Sequence, residues 1–360
     1  MGSMSLTDKR KTVSELGFAM PAEWDTHRAT WIGWPRNSRD WPGKIAPIHW
    51  VYGEIVRHLA SSEVVAVVVF DESHESKARN VLSKVGVDLS KVEFHRIKHD
   101  RGWMRDSGPM FVRHRETGET AVIKFKFNAW AKYDDWKLDN KVAVEFARRR
   151  KRKILHASFD GKDVVLEGGA IDVNGLGTLL TTEECLLDKE TQVRNPHLDK
   201  ASTEQALKEN LGVSKIIWLN KGIIGDDTHG HVDDFCRFVS KNTIILAEEK
   251  NGADYNHRVL EESRERLEGA RLENGRRPEI IRLPMPSPLL FEGQRLPASY
   301  ANFYIGNEVV LVPTFNDEKD REALGMISEC FPKRKVIGIH AVDLVWGLGT
   351  IHCLTQQEPA

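Results

Sequence analysis

Short β-branched runs recur along this 360-residue chain at intervals close to sixty residues. Lys91-Val92-Glu93-Phe94, Lys153-Ile154-Leu155-His156, Lys215-Ile216-Ile217-Trp218, Glu279-Ile280-Ile281-Arg282 and Lys335-Val336-Ile337-Gly338 are the copies. Their second residues fall at 92, 154, 216, 280 and 336, spaced by 62, 62, 64 and 56. Each run reads as a buried strand by length and β-branched content. A second strand follows in the same phase, at residues 120–124, 177–181, 242–246 and 308–312. Helical patterns come next, near 139–151, 203–211, 255–267 and 317–330, several opening on capping residues. The N-terminal stretch adds Thr30-Trp31-Ile32-Gly33-Trp34-Pro35, a helix near 48–60 and a strand over 64–70. The unit is therefore strand, loop, hairpin, helix, in about five copies. A fixed period of this size favours units that stack or close around an axis. The expected fold class is α/β, a five-bladed α/β propeller with pseudo-fivefold symmetry, in which the last strand completes the first blade. Two open α/β sheets are the competing architecture. Residues 1–15 are expected to be a tail, opening with Met1-Gly2-Ser3 as a cloning remnant, and residues 16–360 one domain.

The period places four polar clusters in equivalent loops. Asp106 lies 14 residues after Val92, Glu167 13 after Ile154, His231 15 after Ile216 and Cys353 17 after Val336. Equivalent loops around an axis face one another, so these groups should meet in one central pocket. The unit starting near Ile280 carries Ser299-Tyr300-Ala301-Asn302 at that point and is expected to supply only a wall.

With 40% hydrophobic residues and no apolar run long enough for a bilayer, the chain should be soluble and globular. A formal net charge of −1 gives no reason to expect nucleic acid or membrane as a partner. Cys185, Cys236, Cys330 and Cys353 are scattered and follow no secretory segment, so they read as free thiols of a cytoplasmic protein. Arg148-Arg149-Arg150-Lys151-Arg152-Lys153 reads as a solvated helix end rather than a nucleic-acid patch, because cations favour that end of the dipole.

A thiol, an imidazole and three carboxylates are an unusual set for a cysteine hydrolase. A Cys–His pair needs at most one orienting acid. Further carboxylates raise the thiol pKa unless the substrate itself is positive. A guanidinium fits best, being planar, always charged and matched to carboxylates. On this reading Asp106 and Asp233 clamp it, Cys353 attacks, His231 handles protons and Glu167 orients His231.

Trp103-Met104-Arg105-Asp106-Ser107-Gly108-Pro109, Glu167-Gly168-Gly169, His231-Val232-Asp233 and His352-Cys353 together resemble the agmatine deiminases of the guanidine-modifying (pentein) superfamily. Met20-Pro21-Ala22-Glu23-Trp24, Phe127-Asn128-Ala129-Trp130 and Cys353-Leu354-Thr355-Gln356-Gln357 are similar to the same family, which covers about residues 20–358. The resemblance implies a five-bladed propeller and hydrolysis of agmatine to N-carbamoylputrescine and ammonia, a step of polyamine biosynthesis. It implies a covalent intermediate on Cys353, with Asp106, Glu167, His231 and Asp233 completing the catalytic set. Trp103, Asp106, Asp233 and Gly349 are then the substrate contacts. No cofactor and no metal are implied, and a homodimer is the family-level expectation.

Two stretches depart from that pattern. Gly347-Leu348-Gly349-Thr350 stands where the family has Gly-Gly-Gly-Asn, so Leu348 occupies a position suited to positive φ. The 131–135 segment lacks expected glycines. Deimination of free or peptidyl arginine is the alternative within the class. The other-class alternatives are a metal-dependent amidohydrolase using His229 and His231, and a binding protein that has lost turnover. His352 and Arg105 are expected to be structural, as are Cys185, Cys236 and Cys330.

Overall fold

A computed structural model describes residues 11–360 of the protein, so the Met1-Gly2-Ser3 remnant lies outside the described residues. The β-branched run Val64–Val69 shows how the core is organised. Val65, Val67 and Val69 enter one apolar cluster, while Ala66 and Val68 enter another. Alternation with period two buries both faces, which is why the run is apolar throughout. Each fully buried valine contributes on the order of 1.5–3 kcal/mol. The helix Ile45–Leu59 covers one face with Ile48, Tyr52, Ile55, Val56 and Leu59, a stripe at helical spacing.

Five sheets of three or four strands follow in order along the chain. Three are built alike: Asp172–Val173 with Thr178–Thr182 and Lys215–Leu219, Cys236–Phe238 with Thr243–Glu248 and Glu279–Pro284, and Tyr304–Ile305 with Val309–Thr314 and Lys335–His340. In each, a hairpin pairs antiparallel and the chain then returns to add a parallel strand. A fourth sheet has the same plan in Met110–His114, Thr120–Lys124 and Ile154–His156, extended by Phe18–Ala19. The fifth joins the two ends of the chain: Thr355–Pro359 pairs antiparallel with His27–Gly33, which is followed by Val64–Val69 and Val92–Arg96. The mixed α/β class and the repeat phase are as expected. The unit boundary differs, because each β-branched run is the parallel edge strand that ends its sheet, and for that reason it is only partly buried rather than the buried strand expected. The polar clusters therefore sit on the segments that cross from one sheet to the next.

Predicted helices recur with shifted ends, as Val142–Arg150, Lys200–Leu211, Tyr255–Gly269 and Asp320–Cys330. The sequence reading misses Glu72–Lys84. That helix buries only Ala78 and Leu82, too narrow a stripe for a periodic signal, and Asp71 caps it by accepting from the His74 amide at 2.8 Å.

The final strand is polar yet buried. Thr355, Gln356, Gln357 and Glu358 are at most 5% exposed. Glu358 accepts from Trp31 Nε1 at 3.0 Å and from Arg152 at 3.0 Å, and Gln357 accepts from Arg105 at 2.9 Å. Buried polar groups need such partners. This strand fixes the end of the chain and thereby Cys353, two residues before it.

Candidate active site

Asp106 sits in a single helical turn, Met104–Ser107, that starts after Trp103. Its Oδ1 accepts from the Gly169 amide at 3.0 Å and its Oδ2 from Trp130 Nε1 at 2.8 Å. Trp130 is delivered by a run of left-handed residues, Ala129, Trp130 and Ala131 at φ 50°, 58° and 54°. Strained backbone of this kind persists where the surroundings over-determine it. Burial, with Asp233 and Glu167 nearby, pushes the Asp106 carboxyl up to about 6 against the pull of His231.

Glu167 is fully buried and accepts from Arg194 Nε at 3.2 Å, while its Oε2 lies 3.7 Å from His231 Nε2. Burial opposes its charge, but Arg194 and His231 outweigh burial and bring it down to about 2. The adjacent glycines are required sterically. A Cβ at Gly168 would lie 2.2 Å from the Arg105 carbonyl oxygen, and one at Gly169 only 2.5 Å from His231 Nδ1.

His231 Nδ1 lies 3.9 Å from both Asp106 Oδ2 and Asp233 Oδ1. Burial opposes its protonation, yet the surrounding carboxylates, Asp106 foremost, hold its pKa well above the usual histidine range. Asp233 Oδ2 is 2.6 Å from His352 Nδ1, and this contact lowers Asp233 despite its burial. Cys353 Sγ is 3.8 Å from Asp233 Oδ2. Burial first, then Asp233, Asp234 and Asp106, push its thiol well above the ordinary value. The five groups that the sequence singles out thus meet, and each is no more than 7% exposed.

The fifth crossing segment does more than form a wall. Asn302 Nδ2 donates to Cys353 Sγ at 3.2 Å and to Asp234 Oδ1 at 3.0 Å. Its Oδ1 accepts from Thr350 Oγ1 at 2.7 Å and from the His352 amide at 3.1 Å. A side chain without charge gives no sequence signal of this kind, so sequence reasoning misses Asn302. It misses Trp130 and Arg194 because each acts on a carboxylate already in the set.

The loop before Cys353 keeps its left-handed turn although it carries a leucine, with Leu348 at φ 63°. A Cβ at Gly349 would come within 3.1 Å of Cys353 Sγ and 3.0 Å of the Trp103 ring. The left-handed conformation costs a residue with Cβ roughly 1–2 kcal/mol. Leu348→Gly should therefore be more stable than Leu348→Ala by about 1 kcal/mol, since both lose the same packing and only alanine keeps the strain. Urea midpoints of the two variants measure this; equal midpoints would mean the turn relaxes.

A cavity of about 310 Å³ opens onto this group. Trp103, Asp106, Gly349 and Cys353 line it, with Trp130 and Leu348, while Glu167, His231 and Asp233 are not in its lining. Arg101 lines the cavity but is bound to Asp40 at 2.7 Å and Asp135 at 2.9 Å. Arg105 and Arg237 instead converge on Glu23. Among the described residues, Glu167, Cys185 and His231 form one group with metal-ligand spacing, and Asp233, Asp234 and Cys353 another. His229 belongs to neither and binds Asp188 at 2.7 Å, so the His229-x-His231 pair does not act as a unit.

The family model for Porphyromonas-type peptidyl-arginine deiminases matches residues 19–359. An agmatine deiminase of Medicago truncatula is 38% identical, covering 96% of this chain and 97% of its own. The solved agmatine deiminase of Enterococcus faecalis superposes with a TM-score of 0.88 at 30% identity, covering 97% of this chain and 98% of that one. A substrate-bound agmatine deiminase of C. jejuni gives a TM-score of 0.84 at 30% identity, covering 95% and 96%. Over nearly its whole length, therefore, the chain belongs to the Porphyromonas-type peptidyl-arginine deiminase family, and the curated relatives of Medicago truncatula and Pseudomonas aeruginosa that it matches are agmatine deiminases.

Proposed function

We propose that this protein hydrolyses agmatine to N-carbamoylputrescine and ammonia, with Cys353 as nucleophile in a single α/β-propeller catalytic domain over residues 16–360. The observation that carries the reading is a buried thiol surrounded by Asp106, Asp233 and Asp234, groups that keep it protonated until a cation arrives. The guanidinium, held by Asp106 and Asp233, supplies that charge and lowers the thiol pKa, so the thiol proton is released to solvent as the cation binds. The thiolate then attacks the central carbon and forms a C–S bond. His231, protonated in the free enzyme, gives its proton to one nitrogen, and the C–N bond breaks to release ammonia. The neutral imidazole next takes a proton from water, whose hydroxide adds to the same carbon. Collapse breaks the C–S bond, the hydroxyl proton passes to the departing thiolate, and the ureido product is released. Glu167, anchored by Arg194, keeps the His231 ring in place.

Agmatine rather than arginine follows from the charges on the cavity wall. Asp40, Asp106, Asp227 and Glu292 line it, and its two cations, Arg39 and Arg101, are both paired with carboxylates. An α-carboxylate would meet repulsion there. The five sheets, with the last strand completing the first, support the propeller reading. Four free cysteines accord with a cytoplasmic setting, and a homodimer is the assembly expected from the family resemblance. Among the described residues no helix is long and apolar enough to cross a membrane.

Acid-quenched enzyme taken during turnover should carry a mass increase equal to agmatine less ammonia, localised by digestion to the Cys353 peptide. Turnover with no such adduct, under conditions that accumulate the intermediate, would remove the covalent route. The acid side of the pH profile gives a second check. Asp106 titrates at about 6, whereas Glu167 lies at about 2 and Asp233 is lowered. As pH falls through about 6, Asp106 is protonated and the clamp loses a charge, so kcat/KM should fall there. A profile flat down to pH 5 would mean that Asp106 stays ionised there and does not set the acid limb.

A further inference from the structure

Met20-Pro21-Ala22-Glu23-Trp24 takes no part in the reaction just described, yet it brings a carboxylate to within two side chains of the thiol. Glu23 is 7% exposed. Its Oε2 accepts from Arg237 Nη2 at 3.0 Å and Arg105 Nη2 at 3.4 Å, and its Oε1 accepts from the Ile305 amide at 2.9 Å. That same Oε2 is 2.7 Å from His352 Nε2, and across the ring Nδ1 is 2.6 Å from Asp233 Oδ2.

An ionised carboxylate only accepts hydrogen bonds. Burial disfavours the charge on both acids, but Arg237, His352 and Arg105 hold Glu23 well below the carboxylate range. Asp233 is likewise lowered, with His352 the first of its charged partners. Between two ionised carboxylates each ring nitrogen must donate, so the ring carries two N–H groups and a positive charge. Glu23, fixed by three other donors, sets the position of that ring. The ring in turn occupies Asp233 Oδ2 and leaves Oδ1 without a hydrogen-bond partner, 3.9 Å from His231 Nδ1.

We propose that His352 is a positioning residue, held as an imidazolium between Glu23 and Asp233, which presents Asp233 Oδ1 to the guanidinium and keeps that carboxylate ionised. The inference rests on the deiminase reading. It accounts for the N-terminal motif, with Glu23 as the foot of a clamp that reaches the substrate through His352 and Asp233. The groups acting on Asp233 come from several segments. His231 and Asp234 share its own loop, Asp106 faces it from the Trp103–Asp106 turn, Cys353 and His352 from the C-terminal loop, and Arg237 from the strand Cys236–Phe238. Removing His352 takes away the closest cation of this set.

His352→Gln tests the clamp, because one amide donates to one carboxylate while its oxygen faces the other. With agmatine as substrate, its KM should rise about tenfold or more. The lower acid step of kcat/KM, that of Asp233 beneath the Asp106 step at about 6, should move up by about one pH unit as Asp233 becomes easier to protonate. Glu23→Gln should shift both in the same direction by less. Nitrogen-15 spectra of histidine-labelled wild type at neutral pH should show both ring N–H groups of His352. They are assigned by their loss in His352→Gln or, if that variant does not fold, by their perturbation in Glu23→Gln. A folded His352→Gln whose Asp233 step stays where it is in wild type overturns the proposal, and so does a wild-type His352 with one N–H. If wild type releases no ammonia from agmatine, the deiminase reading fails, and the N–H count alone then decides whether the clamp exists.

Discussion

Cys353→Ser is expected to lower ammonia release from agmatine by about 10⁴-fold or more while leaving the protein folded and able to bind substrate. Serine is close in size to cysteine, and Asn302 Nδ2 can donate to its hydroxyl as it does to Sγ at 3.2 Å. What changes is ionisation. A bound guanidinium can bring a thiol within reach of neutral pH, but an alcohol starts several units higher, and no strong base stands ready to take its proton. The nearest carboxylate, Asp233 at 3.8 Å, has its basicity depressed, and His231 is already protonated. Steady-state ammonia release together with a melting temperature separates lost chemistry from lost fold. A serine variant within tenfold of wild type would mean that Cys353 is not the nucleophile.

Asp233→Asn is expected to reduce kcat/KM for agmatine by about 10³-fold, equivalent to about 4 kcal/mol of transition-state stabilisation. Asp233 holds three relationships at once: with His352 at 2.6 Å, with His231 at 3.9 Å and with Cys353 at 3.8 Å. The amide removes the charge that attracts the guanidinium and leaves a buried His352 cation with a weakened partner, a loss of the size seen when buried pairs are broken. Because Asp106 stays in place, some binding should persist. A loss smaller than about fivefold would assign the clamp to Asp106 alone.

The repeat of β-branched runs makes most of this architecture legible, because five parallel edge strands recur in phase, each only partly buried beside a more deeply buried neighbour. The same phase brings Asp106, Glu167, His231 and Cys353 to one place. Asp233 is reached only as a neighbour of His231 at i+2. Where sequence reading fails, the signal is physically absent. Asn302 carries no charge, so the fifth crossing segment reads as a wall although it binds the thiol. His352 reads as a loop-fixing residue, since a histidine beside a nucleophile says nothing about which carboxylates flank it. Its partner Glu23 lies 329 residues away and is positioned by strand pairing between the two ends of the chain. Leu348 is a discrepancy in the sequence, and the backbone resolves it by holding a leucine at φ 63° where glycine is the easier residue.

The most direct measurement is a parallel assay of ammonia release from agmatine, free arginine and a peptidyl-arginine, with Cys353→Ser run beside wild type. Turnover of agmatine is predicted, with kcat/KM at least about 100-fold above either arginine substrate, because among the described residues the cavity wall offers an α-carboxylate no unpaired cation. The serine variant should release no ammonia above background. Silence of the wild-type enzyme on all three substrates, or ammonia release that survives Cys353→Ser, would contradict the account.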